Sequence, residues 1–532
     1  MTEDIQLSVT KHTPASNLKK EAGNDVTGRN RFTSNLLYSW GGYSIVFVAG
    51  FLTPRLIDRY LGQIELGVWD FSWSFVNYLN LAMLGIGSSI NRYVAKYRAA
   101  GDNDRLNKTV STVVCLQIII AAIVLCSAGL LGLATPMLFN NRLGEHTITA
   151  QWTILLLGAS LAVNMAFDTS RGVLTGCHRW DLHNIINAGS HFLELAGMLT
   201  VLFLGGGLRL LCCSVLFVAI VSGFCRSWLA RRICPELTIH RQLFRWKIAR
   251  EMTRFGLKSL IFGAPSLFLV QTINLFLVQN LGPGSLAIFS RAMALVRHTE
   301  TFMSKFAFIL APTAGSLQGL GNTEELRLFF LETTRYGVAF ATPMILFLIL
   351  DGDLILRLWM GDKYVHGPVL AILALGYFLP TAQNSIREIL KGMNAHGKVG
   401  ILSLCIAMGC FLVGFLLLQK FGWTLNSAAT VLAISLSASL GFTPTIYACR
   451  KLHVSYSQFI LHSLLPPLLC NGIFVVCLLA GRQLFPANMV AAAGMGGLVG
   501  IVLLTCLYLY FIFPQKGKEI WKSLNKIFRM SP

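Results

Sequence analysis

Charge is what this sequence has least of. Only 13% of its 532 residues are Asp, Glu, Lys or Arg, while 54% are hydrophobic. A soluble domain carries about 25% charged residues, so an ordinary soluble globule is excluded. Acid is scarcer than base, with 24 Asp and Glu against 44 Lys and Arg and a net charge of +20. The chain also lacks the GxxxxGK[ST] phosphate cradle, the HExxH zinc pair, and any CxxC or His-rich spacing. Neither an ATP-driven pump nor a metal site is therefore expected, and no cofactor. The 13 cysteines are scattered, with only Cys212 and Cys213 adjacent, and they read as small buried hydrophobes. The apolar runs show no period-2 alternation, which argues against an outer-membrane barrel. Long loops are missing too, the longest outside one being about 135–150, so no extramembrane domain is expected.

What is present is a series of apolar runs near or above the ~18 residues that cross a bilayer as a helix. Backbone polar groups cannot stay unpaired in lipid, so these runs must be helical. Fourteen spans are expected, at about 34–54, 66–90, 109–134, 151–177, 184–204, 209–228, 256–280, 286–311, 332–351, 368–392, 398–418, 424–446, 459–481 and 488–514. With the N-terminus inside, 33 of the 44 Lys and Arg fall in inside tails, loops and adjoining helix ends. Only 8 fall outside: Arg55, Arg59, Arg142, Arg209, Arg357, Lys363, Lys420 and Arg482. That bias supports two cytoplasmic termini and an even span count. The basic balance is thus topological, with some attraction to anionic lipid heads, rather than a nucleic-acid signal. Residues 1–32 lack the apolar core of a signal peptide and read as a disordered cytoplasmic tail; residues 515–532 read as a basic cytoplasmic tail.

The chain also repeats itself. "LGQIELGVWD" from Leu61 parallels "LGPGSLAIFS" from Leu281, and "GDNDRL" from Gly101 parallels "GNTEEL" from Gly321, both 220 residues on. "SRGVLTG", with Arg171, parallels "IREILKG", with Arg387, at an offset of 216. The expected fold is an all-α integral membrane protein of two six-helix lobes, 33–228 and 256–446, related by a pseudo-twofold axis along the membrane normal. A basic, partly amphipathic linker at 229–255 joins them on the cytoplasmic side. An added helical pair follows at 447–514.

One span breaks the apolar rule. On a helical projection of residues 290–306, Ser290, Arg291, Arg297, His298, Glu300, Thr301, Ser304 and Lys305 fall within about half the circumference. A central Arg, Lys or Asp costs about 2.5–3.5 kcal/mol on insertion scales, so this face must meet water or partners rather than lipid. One partner is local: Arg297 and Glu300, at i,i+3, can neutralise each other, but that leaves Arg291 and Lys305 unexplained. Subtracting 220 places Asn77 and Asn80 opposite Arg297 and Glu300, on a helix that also carries Asp70, Trp73, Ser74 and Tyr78. Two polar inner helices imply a central cavity, positive on the second-lobe side. Arg suits phosphate oxygens as a planar fork and Lys as a point charge. Trp73 and Tyr78 offer stacking surfaces for sugar rings, or simply pack. Asp70, Glu194 and Glu300 are the intramembrane carboxylates, open to charge pairing or proton coupling; Glu194 has His191 for a neighbour, and Asp168–Arg171 reads as a surface pair.

"SINRYVAKYRAAGDNDRLNKTVS", "APTAGSLQGLGNTEELRLFF", "RGVLTG" and "LILRLWMGDKY" resemble, in order, motifs of polysaccharide flippases. Over about residues 33–514 the chain resembles the polysaccharide transporter branch of the MOP superfamily, which includes Wzx-type O-antigen flippases. The resemblance implies two lobes alternating between inward- and outward-open states. It implies a substrate of polyprenyl-diphosphate-linked oligosaccharide, flipped to the outer leaflet of a bacterial inner membrane by a monomer. Other polysaccharide-assembly proteins remain open as partners. A MATE-like multidrug antiporter and a membrane glycosyltransferase or ligase stay as alternatives.

Overall fold

The computed structural model describes residues 32–83, 87–307 and 309–513. The tails expected at 1–32 and 515–532 lie outside the described residues, apart from Phe32, which opens the first helix. Lobe 1 holds α1 (Phe32–Leu61), α2 (Gln63–Leu79), α3 (Gly87–Ala99), α4 (Asn103–Leu143), α5 (Thr147–Ala166), α6 (Asp168–Gly176), α7 (Trp180–Phe203) and α8 (Leu208–Ile233). Lobe 2 holds α9 (Trp246–Leu281), α10 (Pro283–Ala307), α11 (Leu310–Gly319), α12 (Thr323–Met360), α13 (Val369–Ala382), α14 (Asn384–Gly392), α15 (His396–Phe421), α16 (Leu425–Leu436) and α17 (Thr443–Lys451). The final pair is α18 (Tyr456–Phe459) running into α19 (Leu465–Leu484), then α20 (Met489–Phe511). There is no strand among the described residues.

Taking α2–α3, α5–α6, α10–α11, α13–α14, α16–α17 and α18–α19 as interrupted passes, the fourteen expected spans each fall on one helical pass. Ten stretches among the described residues are long and apolar enough to cross a membrane, and one of them, Asn103–Gly176, holds two passes. The passes outside that set are α1, α2–α3 and α10–α11, and of these α2 and α10 pack directly against each other between the lobes. Their outer neighbours show the opposite character. Leu130, Leu133 and Met137 on α4 are 68–90% exposed, a surface that acyl chains satisfy and water does not.

The repeat written in the sequence is also present in the backbone. Gly62 and Gly282, 220 apart, precede α2 and α10 with φ of 92° and 85°. Asp102 and Asn322, at the same offset, cap α4 and α12 by accepting from Arg105 N and Glu325 N at 3.0 and 3.1 Å. These side chains satisfy amides that a helix start leaves unpaired. His178 and Asn394, 216 apart, each take a left-handed turn after a nine-residue helix, with φ of 56° and 51°. The break before that helix falls at Phe167 in lobe 1 and at Gln383 in lobe 2.

Contacts between lobes gather at the Gly62 and Gly282 end. A Cβ on Gly67 would lie 1.9 Å from the Pro283 carbonyl oxygen, so only glycine lets α2 and α10 approach this closely. Gln63 Nε2 donates to the Gly284 carbonyl at 3.0 Å. Trp359 Nε1 donates to Phe51 O at 2.8 Å, and Arg55 Nη1 to the carbonyls of Leu358, at 2.8 Å, and Trp359. Asp58 accepts from Lys363 Nζ at 2.8 Å and from Tyr364 OH at 2.6 Å. One hydrophobic core, including Leu66, Phe71, Ile273, Leu286 and Phe289, runs through both lobes beneath these bonds. At the other end lobe 1 bonds to the linker and to the first turns of α9. Asn107 Oδ1 accepts from Thr238 N at 2.9 Å, Thr112 Oγ1 from Arg245 N at 3.0 Å, and Glu251 from Tyr93 OH at 2.8 Å. There α11 packs on α12 and α14 of its own lobe.

Candidate functional site

The charged span is α10, and its residues divide by depth. Nearest the Gly282 end, Arg291 is 4% exposed and donates through Nη2 to both oxygens of Asp70, at 2.6 and 2.7 Å. The sequence reading offered Arg291 as a substrate cation and left Asp70 open to charge pairing or proton coupling. In the structure the two neutralise each other across the lobe interface, α10 to α2. Each would be costly to bury alone, and 220-residue symmetry hides the pairing, because the residues equivalent to Asp70 and Arg291 are Ser290 and Phe71.

Deeper along α10, Arg297, Thr301 and Lys305 stand four residues apart and all three are exposed. This i, i+4, i+8 spacing lines them on one helix face. Arg297 does not pair with Glu300. Glu300 instead accepts from Arg387 Nη2 at 3.2 Å, on α14, with both side chains mostly buried. Arg387 is further held by the Pro380 carbonyl at 3.2 Å and by Asn384 Oδ1. Among the described residues Arg297 has no ion-pair partner. Arg387 was visible in the sequence only as the counterpart of Arg171. In lobe 1 that arginine holds Asp168 at 2.8 Å. Asp168 is only 6% exposed, with Gln117 Nε2 donating to its other oxygen at 3.3 Å. Half of this pair is therefore buried, contrary to the surface reading. The two lobes place a carboxylate–arginine pair at the same helix break, with the acid on α6 in lobe 1 and on α10 in lobe 2.

The aromatic and amide residues have packing roles that the sequence did not separate. His298 on α10 stacks on Phe51 of α1, centroids 4.8 Å apart, and meets Phe47 edge-on at 5.0 Å. Its counterpart 220 residues earlier, Tyr78 on α2, donates to the Phe268 carbonyl of α9 at 3.1 Å and bonds Thr272 Oγ1. Each inner helix thus packs on the first helix of the opposite lobe, as a twofold relation requires. Tyr78 is tied by its hydroxyl, and Trp73 is half-buried with its ring edge-on to Trp69 at 6.0 Å. On the same helix, Ser74 Oγ accepts from Asn274 Nδ2 at 3.1 Å. Asn77 is half-buried and Asn80 exposed, and neither amide has a hydrogen-bond partner among the described residues. Glu194 lies away from α10, on α7, bonded to His191 Nδ1 at 3.0 Å.

Beside the cation stripe is a cavity of about 320 Å³, almost wholly apolar, lined by Phe302, Met303, Phe306, Tyr336 and Phe340. One helix, α10, therefore presents fixed positive charge on one flank and an oily recess on the other. That combination suits an amphipathic anion.

Fold and site together define an all-helical membrane protein with the architecture of MOP-superfamily transporters. The lipid II flippase MurJ, in an inward closed conformation, matches over 90% of this chain and 99% of its own, with a TM-score of 0.70 and 13% identity. An inward-facing MATE multidrug transporter matches over 76% and 94%, at 0.65 and 14%. A MOP transporter from Pyrococcus furiosus matches over 83% and 99%, at 0.59 and 14%. By sequence, an uncharacterised membrane protein of Methanocaldococcus jannaschii is 22% identical over 398 residues, 71% of this chain and 77% of that one. Residues 56–367, more than half of the chain, match the family described as polysaccharide biosynthesis protein. The chain belongs to that family.

Proposed function

We propose that this protein is a flippase that carries polyprenyl-diphosphate-linked oligosaccharide from the cytoplasmic to the outer leaflet of a bacterial inner membrane. The observation that carries this reading is the exposed Arg297–Thr301–Lys305 stripe on an intramembrane helix beside an apolar recess. Diphosphate binds Arg297 and Lys305, with Asn77 and Asn80 on the facing helix taking sugar hydroxyls. The recess receives the first part of the hydrocarbon tail. The lobes, 33–228 and 256–446, rock about the Gly62 end, which faces outside when both termini are cytoplasmic. Their closed contacts there correspond to an inward-open state. The protein works as a monomer and performs no bond chemistry.

A multidrug antiporter is the less suitable reading, because an organic cation meets repulsion from Arg297 and Lys305. The test is equilibrium binding of a defined polyprenyl-diphosphate oligosaccharide to purified protein in nanodiscs. A charge-assisted contact is worth about 1.5–3 kcal/mol, so Arg297→Ala and Lys305→Ala each weaken binding by roughly ten- to hundred-fold. Arg297→Lys restores part of the loss, since the charge survives and the planar fork does not. Unchanged affinity in both alanine variants contradicts the assignment.

A further inference from the structure

Where α12 ends against the α19–α20 hairpin, the molecule holds a cavity of about 510 Å³ that the transport site does not use. Asp351, Asp353, Arg357 and Arg482 share its wall with apolar residues such as Leu354 and Met489. Its size falls within the ~300–1,000 Å³ of small-molecule sites. Its position is where spans end: the last turns of α12, the last turn of α19 and the first of α20. Lipid headgroups occupy that depth.

Both signs of charge keep unused bonding capacity here. Arg482 holds Asp351 Oδ1 through Nε at 3.1 Å and Nη2 at 2.8 Å, and also donates to the Leu350 carbonyl. Asp351 is nevertheless 7% exposed with its second oxygen, Oδ2, lacking any hydrogen-bond partner. A buried acceptor left so is costly, more so when charged, and the group that relieves it must be a donor. Six residues on, Arg357 spends Nε on Asp362 at 2.6 Å, while its Nη1 reaches only the Met489 sulfur at 3.9 Å. Its side chain is 47% exposed, so part of the guanidinium fork remains for an anion. Asp353, exposed beside it, adds a second carboxylate.

We propose that this cavity is a site for the head of a zwitterionic phospholipid bearing a primary ammonium. The phosphate sits on Arg357, and the ammonium donates to Asp351 Oδ2 and Asp353. The apolar wall takes the glycerol end of the chains. The cavity wall offers both signs, Asp351 and Asp353 beside Arg357 and Arg482, which suits a head with one charge of each sign. A glycerol hydroxyl can donate to Asp351 Oδ2 but brings no positive charge to the two carboxylates, and a quaternary ammonium has no N–H to give it. The site pins the hairpin to lobe 2 through lipid, and it stands whether or not the chain is a flippase.

The experiment is native mass spectrometry of the full-length protein released from nanodiscs of equal phosphatidylethanolamine, phosphatidylcholine and phosphatidylglycerol. The site predicts retention of phosphatidylethanolamine about tenfold over either competitor, the order expected when a charge-assisted hydrogen bond is lost. Stepwise N-methylation of the lipid, tested on the wild-type protein, lowers retention with each N–H removed. Asp353→Asn and Arg357→Gln, both at exposed positions, reduce the preference without unfolding the chain. Asp351→Asn abolishes it if that variant folds; the methylation series stands if it does not. Equal retention of the three lipids, or a preference unmoved by Asp353→Asn and Arg357→Gln, overturns the proposal.

Discussion

Arg291→Ala removes one half of an ion pair that spans the two lobes inside the membrane. The side chains of Arg291 and Asp70 are 5% and 13% exposed, and one guanidinium nitrogen serves both carboxylate oxygens. Removing one partner of a buried pair costs about 3–5 kcal/mol, because the survivor keeps its desolvation penalty without its counter-charge. Asp70 keeps 13% of its side chain exposed, so the lower end of that range applies, roughly 3 kcal/mol. Replacing both partners by apolar groups of similar volume is often neutral or stabilising. The double variant Asp70→Leu/Arg291→Met should therefore regain most of the stability that Arg291→Ala loses. The assay is a double-variant cycle on thermal or denaturant midpoints in detergent, alongside binding of lipid-linked substrate. A clasp predicts strongly non-additive stability, with a coupling of about 0.5–3 kcal/mol, and retained binding in the double variant. The reasoning fails if Arg291→Ala leaves stability intact while abolishing binding, for then Arg291 serves the substrate and not Asp70.

Other outcomes follow from the same geometry. Gly67→Ala places a methyl 1.9 Å from the Pro283 carbonyl, so α2 and α10 must part; cysteines introduced nearby should become more reactive, and unchanged reactivity contradicts the close packing. Tyr364→Phe removes a hydrogen bond to the Asp58 carboxylate, worth about 1.5–3 kcal/mol, and should shift interlobe spin-label distances toward opening at the Gly62 end. Arg387→Ala strands Glu300 and should lower the thermal midpoint; adding Glu300→Gln should recover it, and failure to recover assigns Arg387 a role beyond charge pairing.

The fold was legible because lipid imposes simple rules. Each apolar run long enough to span became a helical pass, and the segments that repeat in the sequence fold alike, with matching backbone turns at Gly62 and Gly282. The stripe of exposed Arg297 and Lys305 was also legible, since charge is costly enough in a membrane to stand out in any sequence. Partner choice was not. Periodicity offered Glu300 only Arg297 as a partner, because they are close in sequence, whereas the folded chain brings Arg387 from 87 residues away. Asp70 and Arg291 meet across 221 residues, and they are not equivalent positions of the repeat, so symmetry gave no hint of the pair. The interlobe bonds of Asp58, Trp359 and Tyr364 were missed for a similar reason. They involve helix ends, where polar residues are expected from topology alone.

The central claim is transport of a lipid-linked anion through a cavity whose charge comes from α10. Its most direct measurement is translocation in proteoliposomes that contain only this protein and a defined polyprenyl-diphosphate oligosaccharide. Glycan exposed at the far leaflet is scored with a membrane-impermeant glycosidase. The account predicts transfer that requires the wild-type chain and falls at least tenfold in the Arg297→Ala/Lys305→Ala variant, with folded protein confirmed by its chromatographic profile. It is contradicted if wild-type protein moves no glycolipid, or if the double variant moves it at the wild-type rate.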